Sequence, residues 1–169
     1  MRLSTLLEAS MKQYNIEQII SDLNRNSMFF IERGMRGPSA FESGKCYEFA
    51  LALHTYLESI GEKSEIIFLV GNFKKSQVKW YFDGTEDFDP TMEHPFHTIV
   101  KVRKFYYDAN GRLGNKRDIT SNWPKFRNKR LVTATVDDIK QYIKDHQLVT
   151  DLITEFKKNH DKLNNSSIF

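Results

Sequence analysis

The hydrophobic pattern of the chain changes its period at Gly61, and this change limits the possible folds. Before Gly61, apolar residues recur at the spacing of one helix face, and they are Cys46, Phe49, Ala50, Leu53, Leu57 and Ile60. Ser43 is the predicted N-cap of this helix, and Gly61 is the glycine that ends it. From Ser64 to Val70 the residues are β-branched and apolar, which is typical of a central strand. The sequence therefore predicts a helix that leads directly into a sheet.

Three more segments after this junction have the composition of strands. They are Gln77–Phe82, His97–Val102 and Lys104–Ala109, and each is bounded by residues that favour turns. The pair Asn110–Gly111 is a strong turn signal at the end of the last segment. Together with the strand before them, these segments predict a sheet of about four strands.

Helical segments are predicted on both sides of this sheet. Residues 2–33 have helical spacing, with a break expected at residues 24–27. Residues 135–163 have the same spacing, with Thr135 as the N-cap and a second break near His146. Helices, then strands, then helices is the order of an α+β fold.

The length and the cysteine content narrow the class of protein. A chain of 169 residues suits one domain with its own core, and we predict a single domain over residues 1–169 with a central part at residues 39–115. One cysteine excludes an internal disulfide and a multi-cysteine zinc site, and it favours a reducing, cytoplasmic setting. No apolar run approaches the ~18 residues of a membrane span, so no membrane partner is predicted.

The charge of the chain is unevenly distributed although the net charge is only +3. Lys101–Arg130 carries ten Lys and Arg against two Asp, a local charge of +8, and is expected to be irregular after Gly111. Asp83–Glu93 carries five acidic residues and no basic residue, a local charge of −5. These segments are either solvated loops or two rims that steer a charged partner to one site. No nucleic-acid motif accompanies the basic segment, so nucleic-acid binding is not predicted.

Cys46, at the start of the central helix, has two interpretations. It is either a small buried residue on the apolar face or a nucleophile. The partial positive charge of a helix N-terminus favours the thiolate, and a nearby imidazolium favours it further. Free N–H groups of the first turn can also stabilise an oxyanion beside the sulfur.

His97 and Asp108 provide the partners that a nucleophilic cysteine needs. If the third and fourth strands are joined by an even-length turn at Arg103–Lys104, Val102 pairs with Phe105, and Asp108 lies on the same face as His97. Diagonal neighbours of this kind are ~7–8 Å apart at Cα, so the carboxylate reaches the imidazole. An odd-length turn would place the two side chains on opposite faces. The acid would orient the base, and the base would deprotonate the thiol.

With these residues in place, "GKCYEFALAL" followed by "HTIVKVRKFYYDANG" resembles the transglutaminase-like branch of the papain-like cysteine enzyme superfamily. The resemblance covers residues 44–111 and implies a papain-like core with Cys46 as nucleophile, His97 as general base and acid, and Asp108 as orienting acid. It also implies that the backbone N–H of Cys46 is one oxyanion donor. The chain departs from many relatives in having no clear upstream glutamine, and in having Tyr47 where tryptophan often follows the cysteine.

The leading hypothesis is an intracellular thiol enzyme that attacks an amide or acyl carbonyl of a protein or peptide. Peptidase, deamidase, transglutaminase and acyltransferase share this first step, and the sequence does not choose among them. The alternative is a non-catalytic binding or inhibitor module that acts through the basic segment Lys101–Arg130. A zinc site of Cys46, His94, His97 and Asp108 is disfavoured, because His94 and His97 would point to opposite faces of a strand. No cofactor motif is present, and no cofactor or metal is predicted.

Overall fold

A computed structural model describes residues 15–73, 93–123 and 126–166. Three predictions fall outside these residues: the strand Gln77–Phe82, the helix before residue 15, and the acidic run Asp83–Glu93 except for Glu93. The fold below is that of the described parts of the chain.

The described residues form helices at both ends with a sheet between them. Helix α1 covers residues 15–25, α2 is Ser27–Ile31, and a π-helical turn, Phe41–Lys45, leads into α3, Cys46–Ser59. The strands are β1 Glu65–Phe73, β2 His94–Val102, β3 Phe105–Asp108, β4 Gly111–Arg112 and β5 Phe126–Ala134. The remaining helices are α4 Lys116–Ser121, α5 Val136–Lys140 and α6 His146–Ser166. No helix within the described ranges has both the length and the apolar character that crossing a membrane requires.

The five described strands form one antiparallel sheet with the order β4-β3-β2-β1-β5. The predicted α+β class and the central position of the first strand are therefore confirmed. The prediction that the chain is irregular from Gly111 to Arg130 is wrong, because α4 and most of β5 lie there. β5 escaped detection because it is an edge strand in which only Phe126 is buried and three of the nine residues are basic, and charged residues are a common protection of sheet edges.

The sheet buries apolar side chains on both of its faces. Alternate residues of β1 divide between two clusters, with Ile66, Phe68 and Val70 in the first and Ile67 and Leu69 in the second. The first and larger cluster contains α1, α3 and α6, so α3 is buried on most of its circumference. The second cluster is closed by α4 and Trp123. The core is thus in two layers, with α3 between the sheet and the outer helices.

The helix boundaries after the sheet agree with the sequence signals. Thr135 is the N-cap of α5 and forms a capping box with Asp138, as its position predicts. The predicted break near His146 is confirmed, since α6 begins at that residue. The break at residues 24–27 is confirmed at Asn26, which separates α1 from α2.

The end of α3 is set by the backbone conformation of Gly61. Gly61 has a φ of +78°, its N–H donates to the carbonyl of Glu58, and the N–H of Glu62 donates to the carbonyl of Leu57. This pair of hydrogen bonds is the Schellman motif, which favours glycine because other L-residues are strained at positive φ. The motif stops the helix and turns the chain into β1.

Replacing Gly61 tests this terminator. A Cβ at Gly61 would meet no atom within 4 Å, so the effect of Gly61→Ala is conformational and not steric. We expect the free energy of unfolding to fall by about 1 kcal/mol, measured by urea denaturation. Gly61→Asn is the matched variant and should lose less, because asparagine tolerates this conformation better. Equal stability of Gly61→Ala and the parent chain would contradict this account.

Candidate active site

Cys46 lies in the first turn of the regular α-helix as predicted, but the helix begins later than expected. Ser43 lies inside the π-helical turn, so the prediction that it is the N-cap is wrong, and Lys45 occupies that position without a side-chain cap. Gly44 has a φ of +111°, a conformation in which glycine carries no steric penalty. The backbone N–H of Cys46 therefore follows a helical turn and not an open loop, and its role as an oxyanion donor stays a prediction. π-Helical turns are frequent at functional sites.

Two neighbours of Cys46 fix the first turn of α3 to other elements. The Tyr47 hydroxyl donates to the Pro95 carbonyl at 2.8 Å, which joins this turn to the strand that carries His97. The buried Glu48 accepts at Oε1 from the backbone N–H groups of Lys144 and Asp145, at 3.0 and 3.1 Å. These contacts hold the turn between β2 and the start of α6.

The β2–β3 hairpin has the register that the sequence argument required. Val102 pairs with Phe105 across a two-residue turn, and Val100 pairs with Tyr107. Arg103, in that turn, has a φ of +57°. The even-length turn is therefore confirmed, and with it the placement of Asp108 beside the His97 end of β2.

His97 and Asp108 are in direct contact in the buried part of the structure. His97 Nε2 lies 3.1 Å from Asp108 Oδ2, at hydrogen-bond distance, and the two residues are only 5% and 7% exposed. Asp108 Oδ1 accepts from the backbone N–H of Asn110 at 2.8 Å, so both carboxylate oxygens are engaged. The predicted contact between His97 and Asp108 is thus confirmed, and the carboxylate fixes the orientation of the imidazole.

Cys46 joins His97 and Asp108 in the wall of one small cavity of about 10 Å³, room for about one water molecule. In the described part of the chain, the pairing of β2 with β3 ends at Val100 and Tyr107. Before Val100, β2 is paired only with β1, and its other edge has no described strand beside it; the cavity lies at that edge. Because β3 stops pairing with β2 at Val100, no described strand lies between His97 and the first turn of α3.

The electrostatics of the cavity favour a protonated imidazole. Burial alone lowers the pKa of His97, but the hydrogen bond to Asp108 and the interaction with the Cys46 thiol outweigh burial and raise the pKa to about 9. His97 Nδ1 is buried and has no hydrogen-bond partner among the described residues. One ring nitrogen is thus held by Asp108, and the other is available for proton exchange.

Sequence reasoning missed three residues of this site. Trp123 covers the His97 ring, with ring centroids 5.0 Å apart and planes inclined by 35°. Glu42 and Asn110 line the cavity with the three predicted residues. Trp123 lies far from His97 in sequence, and the sequence showed Asn110 only as a turn residue, so neither pattern indicated a site.

The raised pKa of His97 predicts that stability depends on pH. An unfolded histidine has a pKa of about 6.5, so the protonated imidazole stabilises the fold fully below that pH. This stabilisation is lost as the pH rises towards the folded pKa of about 9. We expect the free energy of unfolding to fall by up to about 3 kcal/mol between these two pH values, measured by urea denaturation.

Two variants separate His97 from the other histidines. His97→Ala should remove most of this pH dependence, and Asp108→Asn should reduce it by removing the carboxylate that favours the imidazolium. His146→Ala is the control, because His146 is exposed at the start of α6 and should leave the dependence intact. If the free energy of unfolding of His97→Ala depends on pH as it does in the parent chain, another group is responsible and this account is wrong.

Comparisons of the chain with protein-family models, with curated proteins and with solved structures found no match. The similarity to transglutaminase-like enzymes is therefore a prediction from the motifs around Cys46, His97 and Asp108. The function has to be inferred from the chemistry that these three side chains can perform in their cavity.

Proposed function

We propose that this protein is a thiol enzyme that attacks an amide or acyl carbonyl. Cys46 is the nucleophile, His97 is the general base and acid, and Asp108 orients the imidazole. The proposal is carried by one observation, the convergence of the only cysteine of the chain with a buried His97–Asp108 pair in one cavity. A nucleophile, a base and an orienting acid in this order form the functional unit of covalent acyl transfer.

The reaction needs only groups that line the cavity. The thiol proton passes to His97, and the sulfur attacks the carbonyl carbon to form a tetrahedral intermediate. The intermediate collapses to a thioester as the leaving amine or alkoxide departs with the proton from His97. Water or an amine then attacks the thioester carbonyl, gives its proton to His97, and the thiol is regenerated. Asp108 keeps its charge throughout and stabilises the imidazolium.

The pKa of His97 supports this assignment. With a pKa of about 9, the imidazole is protonated at neutral pH and favours a thiolate beside it. Strongly shifted groups in a cavity are concentrated at functional sites, because burying a charged pair without use is costly. The geometry supports the part of the shift that comes from Asp108, which Nε2 contacts, whereas Nδ1 faces the cavity side without a hydrogen bond to the thiol and the two would have to approach during the reaction.

The size of the cavity favours a protein or peptide substrate. Pockets that enclose small molecules usually have volumes of roughly 300–1,000 Å³. This cavity has about 10 Å³, room for about one water molecule, so it can take only the reactive group of a substrate at its opening and leaves the rest of the substrate outside. A side-chain amide or a chain end of a larger partner satisfies that requirement.

A non-catalytic binding module is the second candidate, and the burial of Cys46 favours it. The residue is 6% exposed, which also suits a thiol that only fills space. The surface that this candidate would use is partly neutralised, since Lys101, Arg103, Arg112 and Arg130 pair with Glu65, Glu62, Glu17 and Glu93. The neutralisation weakens the binding candidate relative to the enzyme.

The proposal is tested with p-nitrophenyl acetate, an activated ester with a small acyl group. We expect a burst of p-nitrophenolate and an acetyl group on Cys46, detected by mass spectrometry of the intact and digested protein. His97→Ala and Asp108→Asn should slow acylation by roughly 10²-fold or more, because proton transfer and its orientation are lost. Cys46→Ala should abolish the burst.

Asp137→Asn is the matched control, because Asp137 is an exposed aspartate in the first turn of α5 and does not line the cavity. It should acylate at the parent rate. Acetylation spread over lysines, with a rate that Cys46→Ala leaves unchanged, would overturn the enzyme proposal. Retained binding of a partner by Cys46→Ala would then support the binding module.

A further inference from the structure

Two residues form the exposed part of the wall around the cavity that contains Cys46. Most of the described residues that line the cavity are buried. The buried ones are Phe41, Cys46, Phe49, His97, Thr98, Asp108 and Ala109. Glu42 and Asn110 also line the cavity and are both exposed. The route from solvent to the thiol therefore passes these two side chains.

Glu42 and Asn110 contact each other across this opening. Asn110 Nδ2 donates to Glu42 Oε1 at 2.7 Å, although the residues are 68 positions apart in the chain. Glu42 belongs to the π-helical turn before Cys46, and Asn110 follows Asp108 at the end of β3. The hydrogen bond thus joins the two elements that supply the nucleophile and the orienting acid.

Glu42 and Asn110 present mainly hydrogen-bond acceptors to an incoming molecule. The bond uses one of the two amide N–H groups of Asn110, and Oε2 of Glu42 and Oδ1 of Asn110 are further acceptor atoms. Glu42 adds a full negative charge. Lys45, in the same turn, lies 3.9 Å from Asp145, so a carboxylate already balances its charge. The opening is therefore acidic, whereas the chain as a whole has a net charge of +3.

We propose that Glu42 and Asn110 form the entrance of the site and select substrates that carry a cation or N–H donors beside the reactive carbonyl. This inference rests on the proposed function. A basic peptide segment or a primary amide next to a lysine or arginine has this chemistry. Glu42 attracts the positive group, and Asn110 offers a carbonyl acceptor beside it. The substrate replaces the Glu42–Asn110 hydrogen bond when it enters.

The entrance is tested with methanethiosulfonate reagents of opposite charge. The trimethylammonium-ethyl and sulfonatoethyl reagents both convert Cys46 to a mixed disulfide and release methanesulfinate, and Cys46 is the only thiol in the chain. At low ionic strength, after division by the same rate ratio measured with a free small-molecule thiol, we expect the cationic reagent to be favoured about fivefold or more, because it approaches an acidic opening. Glu42→Gln should bring this normalised ratio close to one.

Controls separate the entrance from general effects of charge and stability. Glu155→Gln is matched, because Glu155 also accepts from an asparagine Nδ2, that of Asn26, at 2.7 Å and does not line this cavity. It should keep the cationic preference. If Glu42→Gln does not fold, rising salt should still reduce the preference of the parent chain towards unity. The net positive charge of the chain would favour the anionic reagent, so it cannot produce the expected result.

Several outcomes would overturn the entrance proposal. These are a normalised ratio near one or below one, a cationic preference beyond that of the free thiol that Glu42→Gln retains, or no modification of Cys46 by either reagent. The proposed function is judged separately with the uncharged methyl methanethiosulfonate. A rate that depends on His97 supports the thiol–imidazole pair whatever the charged reagents show, and a rate independent of His97 contradicts that pair.

Discussion

The site depends on the register between β2 and β3. A two-residue turn at Arg103–Lys104 fixes that register, and a slip of one residue would move Asp108 to the other face of the sheet. His97 would then be buried without its carboxylate, and an unpaired buried ionisable group is strongly destabilising. The turn and the His97–Asp108 contact therefore reinforce each other. The two-residue turn and the His97–Asp108 contact are both possible only with this register of β2 and β3.

A buried pair of this kind is difficult to explain by stability alone. Removing two charged groups from water costs about as much as their attraction returns, and well-packed apolar residues often replace such pairs without loss. The position of His97 between Asp108 and Trp123 would suit the base of the proposed enzyme. One side of the ring is covered, one nitrogen is held, and the other nitrogen is left for a proton. In the proposed function, this arrangement activates Cys46, which lines the same cavity.

Local signals in the sequence predicted the parts of the fold that local forces determine. The Gly61 terminator, the Thr135 N-cap and the hairpin register each depend on a few adjacent residues, and each was confirmed. β5 was not predicted, because it is held by pairing with β1, and only one of its own side chains, that of Phe126, is buried. The π-helical turn before Cys46 has no periodic signature, and Gly44 alone did not reveal it. Contacts such as Glu42–Asn110 join residues distant in sequence, so only the folded chain shows them.

The most direct test of the account is the rate at which iodoacetamide alkylates Cys46, measured against pH in the parent chain and in His97→Ala. Because the chain has one cysteine, the rate reports on this residue alone. The account predicts a plateau that extends down to about pH 6 in the parent and is lost in His97→Ala, as a thiolate–imidazolium pair requires. A single titration near pH 8.5 in both proteins, as for an ordinary thiol, or no labelling in either, would contradict the thiol-enzyme proposal.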